Sequence, residues 1–305
     1  MPEEQMPEEE LKISYKKPKM SKKDRKNAVI YLSPSLFGVL LFFVIPFFVV
    51  IYYALVDNPI NHEFVWFDNF ISILQNSSFQ QAAKNTATFS VVAVPLAVVL
   101  SLGMAMLLEQ NIPMRSQFRT FFLSPMMVPV ASIVLIWQVL FDYHGAINEF
   151  AMNLGASPID WFKSSYSQIV IVILFLWKNL GYNMILFMAA LNAIPRDVLE
   201  VATLESATEF QKFWYIKLRY LSSTILFVAI LSLINSFKVF REVYLLTGDY
   251  PYDTLYMLQH FMNNTFRSLD YQKLSAAAII MALVMCIVIG LLFIVEDKFG
   301  KDVEG

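Results

Sequence analysis

Charge is scarce in this sequence. Of 305 residues only 16% are Asp, Glu, Lys or Arg, while 57% are hydrophobic; a soluble surface calls for about 25–35% charged residues, so a water-soluble globule is excluded. There is one cysteine, Cys286, which rules out an internal disulfide and any metal site built on clustered thiolates. The three histidines, His62, His144 and His260, sit in three different connections with no ligand spacing between any two of them; they read as solvated loop residues, and no metal is expected. Glycine is sparse, nine in all, and none belongs to a G-x-x-x-x-G-K-[ST] phosphate loop. The chain therefore binds no ATP by that route and is not expected to be an enzyme. No nucleic-acid partner is expected either.

What the sequence has is long apolar runs. Six stand out, 28–55, 86–108, 120–141, 168–191, 221–239 and 274–295, each near the ~20 residues that cross a bilayer as helix. This predicts an all-α, polytopic membrane protein with six transmembrane helices, a multi-pass protein of the bacterial cell (inner or plasma) membrane. The organisation that follows is a basic tail over 1–27, a transmembrane domain over 28–295 and a short tail over 296–305. The longest connection, 240–273, is too short for a soluble domain, which needs about 50 residues. The first run is too long for the h-region of a cleaved signal. Lysine and arginine orient such chains. Lys12, Lys16, Lys17, Lys19, Lys22, Lys23, Arg25 and Lys26 precede the first run, Arg115 and Arg119 follow the second, Arg196, Lys212, Lys217 and Arg219 follow the fourth, and Lys298 and Lys301 close the chain. The alternate connections hold only Lys84, Lys163, Arg241, Arg267 and Lys273. Both termini are thus expected in the cytoplasm, with the tail's bases held against anionic lipid. Pro34, Pro46, Pro95, Pro125 and Pro129 mark expected kinks.

One connection reads as helix. Pro195, Arg196 and Asp197 have the character of a helix start. Val198, Val201, Ala202, Leu204, Ala207, Phe210, Phe213 and Trp214 then recur at three- and four-residue steps as one apolar face, with Glu200, Glu205, Glu209 and Lys212 largely off it. A flat interfacial helix would prefer a basic polar face; three glutamates in ten residues point to a basic protein surface.

These residues carry a resemblance. Glu200, Ala202, Ile216 and Leu218 match, with spacing intact, the signature loop of permease subunits of binding-protein-dependent ABC importers, and Ala207, Gln211 and Phe213 match its carbohydrate-uptake version. Val201, Ser206 and Arg219 depart from it. Ser206 stands at the family's glycine, where a left-handed backbone costs a residue with a side chain about 1 kcal/mol. Trp66, Asn69, Phe70, Pro129, Trp137, Gly145, Asn148, Trp177, Gly181, Ile194, Pro195 and the stretch from Ser236 to Thr254 are similar to other landmarks of the first permease subunit of maltose or glycerol-3-phosphate systems. The resemblance implies a type I importer permease fold, and as partners a second permease, a cytoplasmic ATPase pair that holds the ATP and magnesium, and an extracytoplasmic solute-binding protein that delivers a sugar. It also implies that Glu200, Ala202, Glu205, Ser206, Ala207, Gln211 and Phe213 form an ATPase-coupling helix, and that Gly248, Asp249, Tyr250 and Pro251 are candidate contacts for the binding protein.

Within the six runs the sequence shows no acid and two bases, Lys178 and Lys238. A charge at mid-membrane costs on the order of 3 kcal/mol, so Lys178 should face the bundle interior, while Lys238, near a helix end, is expected to snorkel to the interface. Beside Lys178, the residues Asn179, Gly181, Tyr182 and Asn183 form a polar, break-prone patch, and Asn235 with Ser232 and Ser236 forms another in the fifth run. They read either as a sugar path or as interhelical hydrogen bonding. The rival to ATP-driven import is an ion-coupled secondary transporter of a small polar solute, which would usually need membrane-embedded acids.

Overall fold

The structure is a computed structural model that describes residues 22–58, 60–110 and 112–300, the side chains of 22–25 and 299–300 excepted. Most of the basic tail, including Lys12, Lys16, Lys17 and Lys19, and the closing Lys301 lie outside the described residues. The described residues are helical apart from loops and one isolated antiparallel bridge, Val56 with Phe64. Five helices are long and apolar enough to cross a bilayer, and a bent pair makes the sixth apolar segment.

The chain divides at Val50 into two compact units. In the first, helix begins at Lys22, inside the predicted tail, and runs to Val39. It widens over Leu40–Val44, where the Ile45 amide bonds back to the Leu40 carbonyl, before Ile45–Leu55 resumes as α-helix. The cause is Pro46: it has no N–H to donate and its ring would collide with the carbonyl four residues back, and a π-turn removes that collision.

The second unit holds the remaining spans. Ser77–Glu109 starts on the side chain of Asn76, whose Oδ1 accepts from the Phe79 amide at 3.0 Å. Ala93, Ala97, Ser101 and Ala105 are fully buried along one face of this helix. Four-residue spacing of small side chains lets a neighbouring backbone come close, and in lipid such contact replaces the missing hydrophobic drive between helices. The neighbour is the fourth span, Ser167–Asn192. Arg115–Met127 and Val130–Leu140 meet at 101°. Pro129 disfavours helical backbone at the residue before it, and Val128 is extended, φ −83°, ψ 133°. Of the expected kinks, this one became a break.

The fourth span does not break at Gly181, although glycine beside Asn179 and Asn183 suggested weakness there. Gly181 instead admits the backbone of the third segment: a Cβ there would lie 1.9 Å from the Phe122 carbonyl oxygen. The fifth span, Ser222–Thr247, is longer than the predicted run ending at Val239. It passes through a turn at Val239 and continues as the helix Phe240–Thr247. The sixth, Tyr271–Lys298, carries Cys286 with an exposed side chain. One core cluster joins the second, fourth and fifth spans through Leu102, Ala105, Met184, Phe187, Leu191 and Val228; another joins Phe89, Ala97, Ile171, Phe175 and Val243 toward the opposite end.

His62 and His144 are exposed as expected, but His260 is buried, 1% exposed. It sits in the helix Leu258–Arg267 with Nδ1 accepting from the Met257 amide at 3.2 Å and its ring edge-on to Phe240, 4.6 Å between centroids. Burial pushes the imidazole down to about 4, against a weaker upward pull from Asp249.

Two outcomes follow. Gly181→Ala should separate the fourth span from the third segment and lower stability by about 1–3 kcal/mol, read as a drop in the unfolding temperature of detergent-purified protein; an unchanged temperature would mean that the close approach is absent. His260 stays neutral in the fold at a pH where an unfolded imidazole, with a value of 6.5, takes a proton. Stability should therefore fall as pH drops from about 6.5 toward 4, by at most about 1.4 kcal/mol per pH unit, and His260→Gln should flatten that part of the profile.

Candidate functional site

The connection after the fourth span is a hairpin and not the single helix that its apolar spacing suggested. Arg196–Leu204 is the first arm, with Asp197 in its first turn. It ends in a Schellman motif: the Ser206 amide bonds to the Thr203 carbonyl at 3.0 Å and the Ala207 amide to the Ala202 carbonyl at 2.9 Å. Ser206 is left-handed, φ 62°, so serine makes the turn that the resembling family makes with glycine, at the backbone cost noted above. Thr208 then caps the second arm. Its Oγ1 accepts from the Gln211 amide at 3.3 Å while the Gln211 Oε1 accepts from the Thr208 amide at 2.8 Å, a reciprocal capping box. Gln211 thus fixes the hairpin's shape. Glu209–Gln211 continues as a π-turn over Lys212–Lys217 and a last turn, Leu218–Tyr220.

The apolar residues of the hairpin divide between two directions. Ala202 is buried, and Phe213 with Leu199 packs on the core of the second, fourth and fifth spans. Lys217 Nζ meets Glu109 Oε2 at 2.9 Å and ties the second arm to the end of the second span. Glu200, Val201, Leu204, Glu205 and Phe210 are exposed, and Phe210 stacks on Trp214, also exposed, with rings 6.1 Å apart at 10°. Glu209 pairs with Lys212 at 2.7 Å, and that hydrogen bond holds its carboxyl below the usual carboxylate range. The outward face is therefore acidic and apolar together, braced from behind.

The polar patch within the spans also divides. Asn183 and Ser232 are buried and bonded to each other, Nδ2 to Oγ at 3.0 Å, an interhelical tie between the fourth and fifth spans. Asn235 donates to Asn179 Oδ1 at 3.0 Å, and Asn179 to the Phe175 carbonyl at 2.8 Å. These two amides, with Tyr182 and Lys178, line a cavity of about 290 Å³. Lys178 turns inward as expected, and its Nζ is paired with Glu242. Glu242 lies in the extended part of the fifth span and is 4% exposed, which corrects the expectation that no acid lies within the spans. The hydropathy run stops at Arg241-Glu242, so the acid falls in a loop when read alone; the i,i+4 spacing of Lys238 and Glu242 was the available hint of continuing helix. Lys238 and Arg241 line the same cavity.

At the far end of the fifth span Gly248 is left-handed, φ 79°. Asp249 accepts from Arg267 at 2.5 Å, Arg267 also donates to the Tyr244 hydroxyl at 2.8 Å, and the Asp249 carbonyl accepts from Asn264 at 3.2 Å. Tyr250 is exposed. It and Pro251 border a second depression, about 1030 Å³, with Gln138, Phe141, Tyr143 and Phe162. The two hollows lie along one helix, the first against Lys238, Arg241 and Glu242 and the second against Leu246 and Thr247.

A helical membrane protein with a polar cavity between spans and a braced hairpin at one end is a transport permease. Residues 97–303 match the family described as binding-protein-dependent transport system inner membrane component, and the chain belongs to that family. It is a multi-pass permease of the membrane and not an enzyme. It is similar to a trehalose/maltose transport system permease protein, MalF, of Thermococcus litoralis, 27% identical over 289 residues covering 93% of this chain and 98% of the relative. It is likewise similar to a sulfoquinovosyl glycerol transport system permease protein, SmoG, of Agrobacterium fabrum, 28% identical with 90% and 92% covered. Its fold matches a chain of a bacterial alginate ABC transporter crystallised in complex with an alginate pentasaccharide-bound periplasmic protein, TM-score 0.77, 19% identical, covering 89% of this chain and 94% of that one. The importer permease fold read from the sequence is the fold found.

Removing one member of a buried ion pair strands the other. Glu242→Leu should lower stability by on the order of 3 kcal/mol, and adding Lys178→Met should return most of it. Unfolding temperatures of the two variants check this; a single variant as stable as the parent would mean that the pair carries no weight.

Proposed function

We propose that this chain is one of two permease subunits of an ATP-driven importer that takes up a sugar or oligosaccharide delivered by an extracytoplasmic binding protein. A pair of cytoplasmic ATPases, which carry the ATP and magnesium, drives it. The carbohydrate reading rests on relatives named for trehalose and maltose and for sulfoquinovosyl glycerol, and on a neighbour in fold crystallised with a loaded periplasmic protein. Both termini and the hairpin face the cytoplasm in this reading, because lysine and arginine crowd the connections on that side.

The observation that carries the proposal is the hairpin. Leu204 and Phe210 are 85% and 74% exposed beside Glu200 and Glu205, while the Phe213 ring and the Lys217–Glu109 pair fasten the same hairpin to three spans. Exposed apolar surface rimmed by polar residues marks a protein contact. A rigid attachment behind it turns a push on the hairpin into a tilt of the fourth and fifth spans, which enclose the cavity. Gly248, Asp249, Tyr250 and Pro251, at the opposite end, serve the binding protein, and Asn179, Tyr182 and Asn235 offer amide and hydroxyl groups to the passing sugar. Asn183 and Ser232 tie the spans together and do not touch it.

Glu200→Arg should reduce ATP-driven uptake by the assembled transporter at least about tenfold and weaken co-purification of the ATPase, as expected when a charge-assisted contact is reversed. Unchanged uptake and co-purification would refute the hairpin's role. Uptake that follows an ion gradient after ATP is depleted would restore the secondary transporter, for which Glu242 provides the membrane acid that the sequence alone had not shown.

A further inference from the structure

The cavity between the fourth and fifth spans carries more positive charge than its own acid balances. Lys178, Lys238 and Arg241 line it together with Glu242. Glu242 is committed to Lys178. Among the described residues Lys238 and Arg241 have no acidic partner. They stand three apart on either side of the turn at Val239, with Glu242 next along the chain, and all three side chains line the one cavity. Counting back from Thr247, Arg241 lies about 9 Å below the helix end and Asn235 about 18 Å, at 1.5 Å per residue. A solute moving inward therefore meets two free cations first and the amides of Asn235 and Asn179 next.

Charges inside a span are retained where they face a hydrated path or a counter-ion, and they mark what passes. If cations were needed only to hold the bundle, Lys178 with Glu242 would suffice. Two further cations at the mouth of the same cavity raise its potential, hold anions and disfavour cations. A lysine and an arginine together also offer the charge-assisted donors that carboxylate, sulfonate and phosphate oxygens accept. From this we infer that the substrate is a carbohydrate bearing an anionic group, its charge met by Lys238 and Arg241 and its hydroxyls by Asn179 and Asn235. The inference rests on the importer reading above and names the chemical class of its cargo. It also gives Lys238 a different assignment from the snorkelling role that its place near a helix end suggested.

The test is uptake into proteoliposomes containing the complete transporter with its binding protein. The probes are sugars paired with acidic counterparts: galactobiose with digalacturonate and cellobiose with cellobiouronate, which match in size, and glucose with glucose 6-phosphate, which adds a phosphoryl group. ATP-dependent uptake should be confined to acidic members. Lys238→Gln with Arg241→Gln should lower it about tenfold or more, and Lys238→Arg should keep it, which separates the need for charge from damage to the fold. ATP-dependent uptake of neutral members with the acidic ones refused, or uptake of both alike, overturns the inference and leaves the importer reading standing. So does a double variant that transports the acidic probe at the parent's rate. Uptake of any member that ignores ATP overturns the importer reading beneath it.

Discussion

The fourth span is held by close backbone approach together with large buried side chains such as Phe175 and Phe187, and the hairpin and one wall of the cavity hang from it. Ala93, Ala97, Ser101 and Ala105 of the second span form a smooth buried face toward it, and Gly181 lets the Phe122 backbone come where no side chain would fit. Hydrocarbon offers helices no hydrophobic reward for meeting, so the close fit of small residues and a few hydrogen bonds must do it. The Asn183–Ser232 bond adds the third neighbour, the fifth span. Fixed on three sides, the fourth span delivers the hairpin at one end and one wall of the cavity along its length.

That arrangement explains why the polar residues of the spans fall into two kinds. Those pointing at a packed neighbour, Asn183, Ser232, Ser90 and Ser236, find one another: Ser90 and Ser236 share a bond of 2.8 Å between the second and fifth spans. Asn179 and Asn235 also bond to each other, at 3.0 Å, but with Tyr182 they border a hollow. The same side-chain chemistry ties spans together in one direction and lines a cavity in the other, and orientation around the helix decides which. The hairpin repeats the rule on a smaller scale. Ala202 and Phe213 face the bundle, Val201 and Phe210 face out, and a spacing pattern that treats them as one face merges two surfaces.

Much of this was legible in the sequence. Apolar runs gave the spans because length and hydropathy are properties of single segments, and Pro129 marked a kink in the third, though not the full break, because proline acts on its own neighbours. The signature residues Glu200, Ala202, Gln211 and Phe213 placed the hairpin. What escaped was pairing across distance. Glu242 reads as a loop acid until Lys178, sixty-four positions earlier, is brought beside it. His260 reads as solvated until Phe240 and the Met257 amide enclose it. Ser206 looked unsuited to its turn because the local conformational cost was visible and the two hydrogen bonds that offset it were not.

Cys286 has a use that follows from its solitude. It is the sequence's one thiol and lies exposed partway along the sixth span, so a maleimide fluorophore or a nitroxide attached there marks a single known point without prior mutagenesis. Its spectrum distinguishes a probe bathed in acyl chains from one wedged against another polypeptide, so whether the second permease proposed above covers this face can be read from that difference.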